Sequence, residues 1–141
     1  MEIREIDKAD VGEFVRLAKE LGYEADEAHT ASRIENRNEM EIVLVAEENE
    51  SLISWIDCKI VQSYMAKPYC EIVGFVVDER ERNKGIGKQM MAAAEKWIRE
   101  KGIEKIAIRS NVKRIPAHKF YEKNGYHIVK QQMIFNKLLK P

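Results

Sequence analysis

The sequence predicts an α+β domain whose central sheet is mixed, mostly antiparallel, and flanked by helices. Two helical segments follow the first strand, three strand-like segments then succeed one another, and the second half alternates between helix and strand. This order of elements is typical of an α+β domain with a mixed sheet. The predicted order is β-α-α-β-β-β-α-β-α-β, with room for one further strand. A chain of 141 residues suits a single domain spanning residues 1–141.

The first half of the chain begins with a short strand that ends at Asp7, a suitable helix cap. Apolar residues then recur at helical spacing until Gly22, which suits a helix end. A second, weaker helix precedes two strands joined by an acidic turn. The predicted elements are strand 2–6, helices 11–21 and 26–36, and strands 41–46 and 52–61 around a turn at 47–50.

The second half contains the segment CEIVGFVV, which is almost continuously apolar. We expect its strand to be covered on both faces, as at the centre of a sheet. The helix that follows stops at Gly102, and the last helix stops at Asn124 and Gly125. The predicted elements are strand 69–78, helix 85–101, strand 105–109, helix 115–123, and one or two closing strands within 126–138.

The connection between strand 69–78 and the next helix carries the strongest functional signal. It runs into Gly85-Ile86-Gly87 at the start of the helix. Glycine costs about 1 kcal/mol in a helix interior, so two of them in the first turn indicate close approach of a ligand to the backbone. The first N–H groups of a helix lack internal partners and attract anions. Arg82, Lys84 and Lys88 add positive charge, so the loop predicts a phosphate or pyrophosphate site.

Two common phosphate-binding loops do not fit this segment. A Walker A loop needs glycine at Arg82 and serine or threonine at Gln89, and a dinucleotide fingerprint needs glycine or alanine at Met90. The pattern that remains, Arg82-x-x-Gly85-x-Gly87, resembles the acetyl-CoA pyrophosphate loop of the GCN5-related N-acetyltransferases (the GNAT superfamily). The order of elements in that family matches nearly the whole chain. Taken alone, the loop is also compatible with a glycine turn among solvated charges.

The resemblance implies an N-acetyltransferase that takes acetyl-CoA as co-substrate and transfers the acetyl group directly to a primary amine in a ternary complex. In this family the strands before and after the loop helix run parallel and splay apart, and the pantetheine arm lies in the gap. Asn111 matches a position near the pantetheine, although a turn or capping role is the alternative. The implied acetyl-CoA ligands are the backbone of Phe75, Val76 and Val77, the loop residues Arg82, Asn83, Lys84, Gly85, Ile86, Gly87 and Lys88, and Asn111.

Glu71 matches the position of a glutamate base in several members of the family. Strand alternation places it beside Val73 and Phe75. The alternative interpretation is a carboxylate at the solvent-exposed start of a strand, or one paired with a lysine. A carboxyl near pKa about 4.3 taking a proton from an amine near about 10 faces roughly 8 kcal/mol. Burial of the carboxyl or a water relay is therefore expected. Gly74 is a candidate bulge that would aim an N–H group at the oxyanion.

Tyr121 is the second candidate catalytic residue. It shares a helix face with Ala117 and Phe120, and in many family members a tyrosine of the last helix reaches the CoA sulfur. A phenol and a thiol differ by about 1.5 pKa units, roughly 2 kcal/mol, which permits protonation of the thiolate or a hydrogen bond to it. Packing of this helix on the sheet is the alternative role.

The composition restricts the class of partner. Lys+Arg 24 balance Asp+Glu 24, which gives no electrostatic reason for binding nucleic acid or an anionic membrane. No apolar run is long enough to span a bilayer, and the N-terminus lacks a signal-peptide core. Cys58 and Cys70 lack C-x-x-C spacing and are interpreted as reduced thiols of a cytoplasmic protein. The three histidines form no metal-ligand pattern, so no metal is expected.

The acceptor amine is the least determined part of the function. We expect a small-molecule amine, with a protein N-terminal or lysine acetyltransferase as the alternative. The segment Phe120-Tyr121-Glu122 also recurs in enzymes that acetylate protein N-termini. A non-catalytic acyl-CoA sensor of the same fold and a phosphate binder of unrelated fold are further alternatives. Family members are often dimers, so the resemblance allows a homodimer.

Overall fold

The computed structural model describes residues 1–140, which fall into two compact units divided between Arg109 and Ser110. The first unit contains a five-stranded sheet in the order β1-β2-β3-β4-β5. Strands β1 to β4 pair antiparallel, and β4 pairs parallel with β5. The predicted mixed, mostly antiparallel sheet is therefore confirmed. The elements of this unit are β1 Glu2–Glu5, α1 Val11–Glu20, α2 Glu27–Glu35, β2 Glu41–Glu48, β3 Ser51–Val61, β4 Tyr69–Val77, α3 Ile86–Glu100 and β5 Ile106–Ile108.

The helices of the first half begin and end at the capping residues predicted from the sequence. Asp7 caps a 3₁₀ helix over Lys8–Asp10 that leads into α1, and its side chain accepts a hydrogen bond from the N–H of Ala9 at 2.8 Å. Gly22 follows α1 with a φ of 87°, in the left-handed region that glycine tolerates. Asp26 caps α2 by accepting from the N–H of His29 at 3.0 Å.

The core of the first unit lies on both faces of the sheet. On one face, Trp55 of β3 packs in a buried cluster with Leu17 of α1, and its ring stacks on Phe14 with centroids 4.3 Å apart. The next residue of β3, Ile56, is fully buried and points to the other face. Helix α3 contacts β2, β3 and β4. Its buried side chains are Ile86, Met90, Met91, Ala94 and Ile98. Burial of both faces explains why the sequence shows nearly continuous apolar runs here.

Strand β4 contains a β-bulge, as Gly74 suggested. Asp57 of β3 pairs with Gly74, whereas the next residue, Cys58, pairs with Ile72. Val73 is thus the extra residue, and its side chain is 49% exposed. The bulge reverses the alternation along the strand. Glu71 pairs with Lys59, whereas Phe75 pairs with Ile56 on the other face of the sheet, so the expectation that Glu71 shares a face with Phe75 is wrong.

The described residues of the second unit, 110–140, contain one helix, α4 Ile115–Lys123, with the predicted bounds. The predicted closing strands within 126–138 are not formed, because the described residues after Gly125 adopt neither helix nor strand. A strand needs a partner whose backbone groups it can pair with. Apolar content alone is therefore a weak predictor of a strand. Several large apolar side chains of this segment are exposed: Ile128, Val129, Met133, Ile134, Phe135, Leu138 and Leu139. In the part of the chain that the structure describes, no helix is long and apolar enough to cross a membrane.

Candidate functional site

The connection from β4 to α3 has the geometry of an anion-binding loop. It passes through a 3₁₀ helix over Glu79–Glu81, then through Asn83 with a φ of 65° and Gly85 with a φ of 80°. Gly85 is the N-cap of α3 and has no side chain to bond the first-turn N–H groups. These donors and the positive end of the helix dipole meet at the same point. The loop can therefore offer backbone N–H groups to a phosphate.

The cationic side chains of this loop are exposed, but two of them have partners. The Arg82 Nε donates to the carbonyl of Val77 at 3.2 Å, and its Nη2 lies 3.5 Å from Glu20 Oε1. Lys84 Nζ lies 2.7 Å from Glu81 Oε2. The loop is thus organised by protein groups, with its positive charge facing solvent.

The resemblance assigned the backbone of residues 75–77 in β4 to pantetheine binding. These residues follow the part of β4 that pairs with β5. That pairing covers Cys70, Glu71 and Ile72. From Val73 onward β3 pairs with one edge of β4, and among residues 1–140 no strand pairs with the other edge. An open strand edge can bind an extended amide chain. The carbonyl of Val76 accepts from Ser54 Oγ at 2.7 Å, and that of Val77 accepts from Arg82.

Glu71 lies on the sheet face that α1 covers. It pairs in register with Lys59, and alternation along β3 places Lys59 on the same face as Asp57 and Trp55. The Glu71 side chain is 22% exposed, and its Oε1 accepts from Arg109 Nε at 3.0 Å. One alternative interpretation was that Glu71 pairs with a lysine. In the structure its partner is an arginine, Arg109.

Asp57 is a second carboxylate on this face, which sequence reasoning missed. Its Oδ1 lies 3.1 Å from Lys59 Nζ. Burial raises the pKa of the Asp57 carboxyl above its ordinary value, and the nearby ammonium group opposes this only in part. The sequence signal was a single acidic residue within a mainly apolar strand, β3.

Tyr121 and Asn111 belong to the second unit, whereas Glu71 and the glycine loop belong to the first. Tyr121 is half-buried on α4 and packs edge-on against Phe120 and Tyr126, with ring centroids 5.7 Å and 6.3 Å away. Burial raises the pKa of its phenol. Asn111 Oδ1 accepts from the N–H of Lys113 at 2.9 Å, which is the contact of a turn-forming asparagine.

The structure also reveals a group of charged residues that supports the loop and that sequence reasoning missed. Asp78, at the end of β4, is buried and accepts hydrogen bonds from Arg16 of α1 and from Arg80. Glu20, also on α1, accepts from the N–H of Glu79 at 2.9 Å. The available signals were an aspartate placed to cap the turn after a strand, and the i,i+4 spacing of Arg16 and Glu20 on one helix.

Comparison with known proteins gives a family and a fold. A model described as Acetyltransferase (GNAT) family matches residues 5–126. An aminoalkylphosphonate N-acetyltransferase of Salmonella typhimurium is 41% identical over 56 residues, which cover 40% of this chain and 36% of that relative's length.

Two solved structures resemble the chain over nearly its whole length. An aminoglycoside antibiotic 6'-N-acetyltransferase from Acinetobacter haemolyticus gives a TM-score of 0.84 at 17% identity, with 99% of this chain and 100% of that chain covered. AAC(6')-Iy in complex with the bisubstrate analog CoA-S-monomethyl-acetylneamine gives a TM-score of 0.84 at 22% identity, with 97% of each chain covered. At these identities the likeness establishes the fold.

Proposed function

Since this chain belongs to the acetyltransferase (GNAT) family, we propose that it is an acetyl-CoA-dependent N-acetyltransferase acting on a small-molecule primary amine. The observation that carries the proposal is the uncapped N-terminus of α3, which follows two left-handed residues and is surrounded by the exposed side chains of Arg82, Lys84 and Lys88. The preference for a small amine is supported by the aminoalkylphosphonate relative. We propose that residues 1–141 form one functional domain.

In the proposed complex, the loop from Arg82 to Lys88 binds the pyrophosphate of acetyl-CoA. The backbone of β4 from Phe75 to Val77 binds the pantetheine amides, and Asn111 contacts the same arm. The bulge at Val73 and Gly74 turns a backbone N–H toward the thioester carbonyl. A fixed donor at this point would stabilise the oxyanion of the tetrahedral intermediate.

The reaction we propose is direct transfer. The neutral amine nitrogen attacks the thioester carbonyl carbon, the tetrahedral intermediate collapses, and the C–S bond breaks. Glu71 accepts the proton that the amine loses, through a water if the distance requires one. Tyr121 donates a hydrogen bond or its proton to the departing thiolate. Because burial raises the pKa of the Tyr121 phenol, it stays protonated at neutral pH, and hydrogen bonding is favoured over complete proton transfer.

A thermal-shift titration with acetyl-CoA, CoA and ATP tests the proposal. A ligand at about a hundred times its dissociation constant adds roughly 2.7 kcal/mol, which raises the midpoint by several degrees in a domain of this size. We expect a shift with acetyl-CoA and CoA, and little with ATP. A shift with all three would favour a general phosphate binder, and none would contradict the proposal. Turnover with a panel of small amines and peptides then separates an enzyme from a sensor, and one acceptor class from the other.

Two glycine variants make a matched control for the loop. Gly85 and Gly102 flank the same helix with φ values of 80° and 74°, and a Cβ at either would meet nothing within 4 Å. Alanine should strain the backbone at both to a similar extent, roughly 1 kcal/mol. Only Gly85→Ala should also weaken acetyl-CoA binding, because only that glycine lies at the proposed phosphate site. Equal affinity in the two variants would argue against binding at this loop.

We also propose a cytoplasmic location and a homodimer. Both cysteines, Cys58 and Cys70, are buried free thiols, which suits a reducing compartment. A second copy could cover part of the exposed apolar segment 126–140. Light scattering of the purified protein would give the mass in solution, and a monomer at all concentrations would exclude the homodimer.

A further inference from the structure

One face of α1 is directed at the connection between β4 and α3. Glu13, Arg16 and Glu20 lie at helical spacing, and Arg16 links this face to the strand ends. Its Nη1 donates to Asp78 Oδ2 at 3.0 Å, and its Nη2 donates to the carbonyl of Leu52 at 2.8 Å. Helix α1 is thereby fixed to the residue that precedes the loop.

Asp78 anchors the start of the loop. Its backbone N–H donates to the carbonyl of Ile53 at 2.8 Å, and its carboxylate also accepts from the N–H of Arg80 at 3.0 Å. The side chain is 2% exposed. A buried carboxylate with this many donors holds its surroundings in one arrangement.

Glu20 extends this support to the cationic residue of the loop. Its Oε1 accepts from the N–H of Glu79 and lies 3.5 Å from Arg82 Nη2, while Arg82 Nε donates to Val77. The guanidinium is thus held from two sides although the Arg82 side chain is 53% exposed. An exposed arginine would otherwise lose much rotamer freedom on binding an anion.

We propose that Glu20 is a positioning residue for the pyrophosphate site: it holds the guanidinium of Arg82 at the mouth of the loop, so that helix α1 sets the geometry with which acetyl-CoA is bound. This inference rests on the proposed function. Preorganisation raises affinity because the arginine side chain is already ordered in the free protein, so less conformational entropy is lost on binding. The negative charge of Glu20 opposes an anionic ligand. The guanidinium of Arg82, 3.5 Å from Glu20 Oε1, offsets much of that repulsion.

The affinity for CoA, measured by titration calorimetry, tests the inference with three variants. Glu20→Ala should weaken binding about tenfold, the usual order for loss of a preorganised polar contact. Glu20→Gln should stay within about threefold of the wild type, because its amide oxygen can accept from both Glu79 and Arg82. Glu41→Ala is the matched control. It removes a half-buried carboxylate of β2 that bonds Arg33 of α2 and none of the residues that support the loop, and it should bind CoA like the wild type. If Glu20→Ala does not fold, Glu20→Met preserves the length of the side chain and gives the same comparison.

Repeating the Glu20→Ala change in an Arg82→Ala protein shows whether Glu20 acts through Arg82 or through the structure of the loop in general. In an Arg82→Ala protein, Glu20→Ala should cause no further loss of CoA affinity, because the residue it positions is gone. An equal loss in both backgrounds would overturn the inference, as would unchanged or tighter binding by Glu20→Ala alone. Those results would leave the proposed function intact. Absence of CoA binding by the wild type would overturn both.

Discussion

The indole ring of Trp55 on β3 occupies the space that a side chain at position 74 of β4 would need. A Cβ built on Gly74 would lie 2.8 Å from Trp55 Cζ3, closer than real side chains approach. The ring is fixed in turn, since it stacks on Phe14 and its Nε1 donates to the Phe14 carbonyl at 3.2 Å. The contact explains why the bulge carries a glycine. It also connects the proposed oxyanion donor to the buried cluster that contains Trp55.

Gly74→Ala should destabilise the protein by about 1–3 kcal/mol, the usual cost of overpacking a core. The indole would have to move, and the stack with Phe14 would move with it. Urea unfolding followed by fluorescence measures the change. Gly12→Ala is the control, because a Cβ there would lie at an ordinary 3.6 Å from Glu27. A Gly74→Ala protein as stable as the wild type would mean that the ring shifts at no cost.

Tyr121→Phe should lower kcat by roughly tenfold or more while the affinity for acetyl-CoA stays nearly constant. The expected loss is that of a hydrogen bond to a charged group, about 1.5–3 kcal/mol, realised only as the thiolate departs. Steady-state kinetics together with direct binding separates the two quantities. Tyr126→Phe, in the same unit and half-buried, is the control and should retain activity. Full activity of Tyr121→Phe would remove the phenol from the mechanism.

Glu71→Gln should reduce kcat/KM by roughly a hundredfold, in the range usual for a general base, and should change the pH profile. The glutamine cannot accept the proton of the amine, so the variant should lose the plateau at alkaline pH that a general base predicts for the wild type. Glu41→Gln provides the comparison, since Glu41 is also half-buried in a strand and paired with an arginine, Arg33. If the pH profile of Glu71→Gln matches the wild type, Glu71 is the structural partner of Arg109 and not a base.

Asp78→Asn should destabilise the protein at neutral pH by roughly 2 kcal/mol, the order expected for a charged hydrogen bond. Hydrogen bonds from Arg80 and Arg16 hold the pKa of the Asp78 carboxyl well below its usual range. A lowered pKa in the folded state stabilises the protein above the unfolded value and loses that effect as the pH falls through the folded value. The difference from the wild type should therefore shrink below about pH 4. A difference independent of pH would show that the charge of Asp78 is not what stabilises the loop.

The sequence predicted the elements of the first unit because their signals are local. Helix ends at Gly22 and Gly102 follow from the φ values that only glycine adopts readily, and α1 and α3 follow from apolar spacing. The closing strands were predicted wrongly for the converse reason. Whether residues 126–138 form a strand depends on a partner, which apolar content cannot supply. The reversal of Glu71 relative to Phe75 was missed as well, because the bulge shifts the register of a whole strand.

The sequence by itself determined the order of elements, the glycine loop between β4 and α3, and the resemblance that the family match bears out. Each depends on residues close together in the chain, where backbone preference and side-chain period act directly. Only the tertiary structure decided that Glu71 pairs with Arg109, that Trp55 requires a glycine at position 74, and that Glu20 and Asp78 support the loop. These relationships join residues distant in the chain. They depend on how the strands pair and where α1 packs, which local patterns leave open.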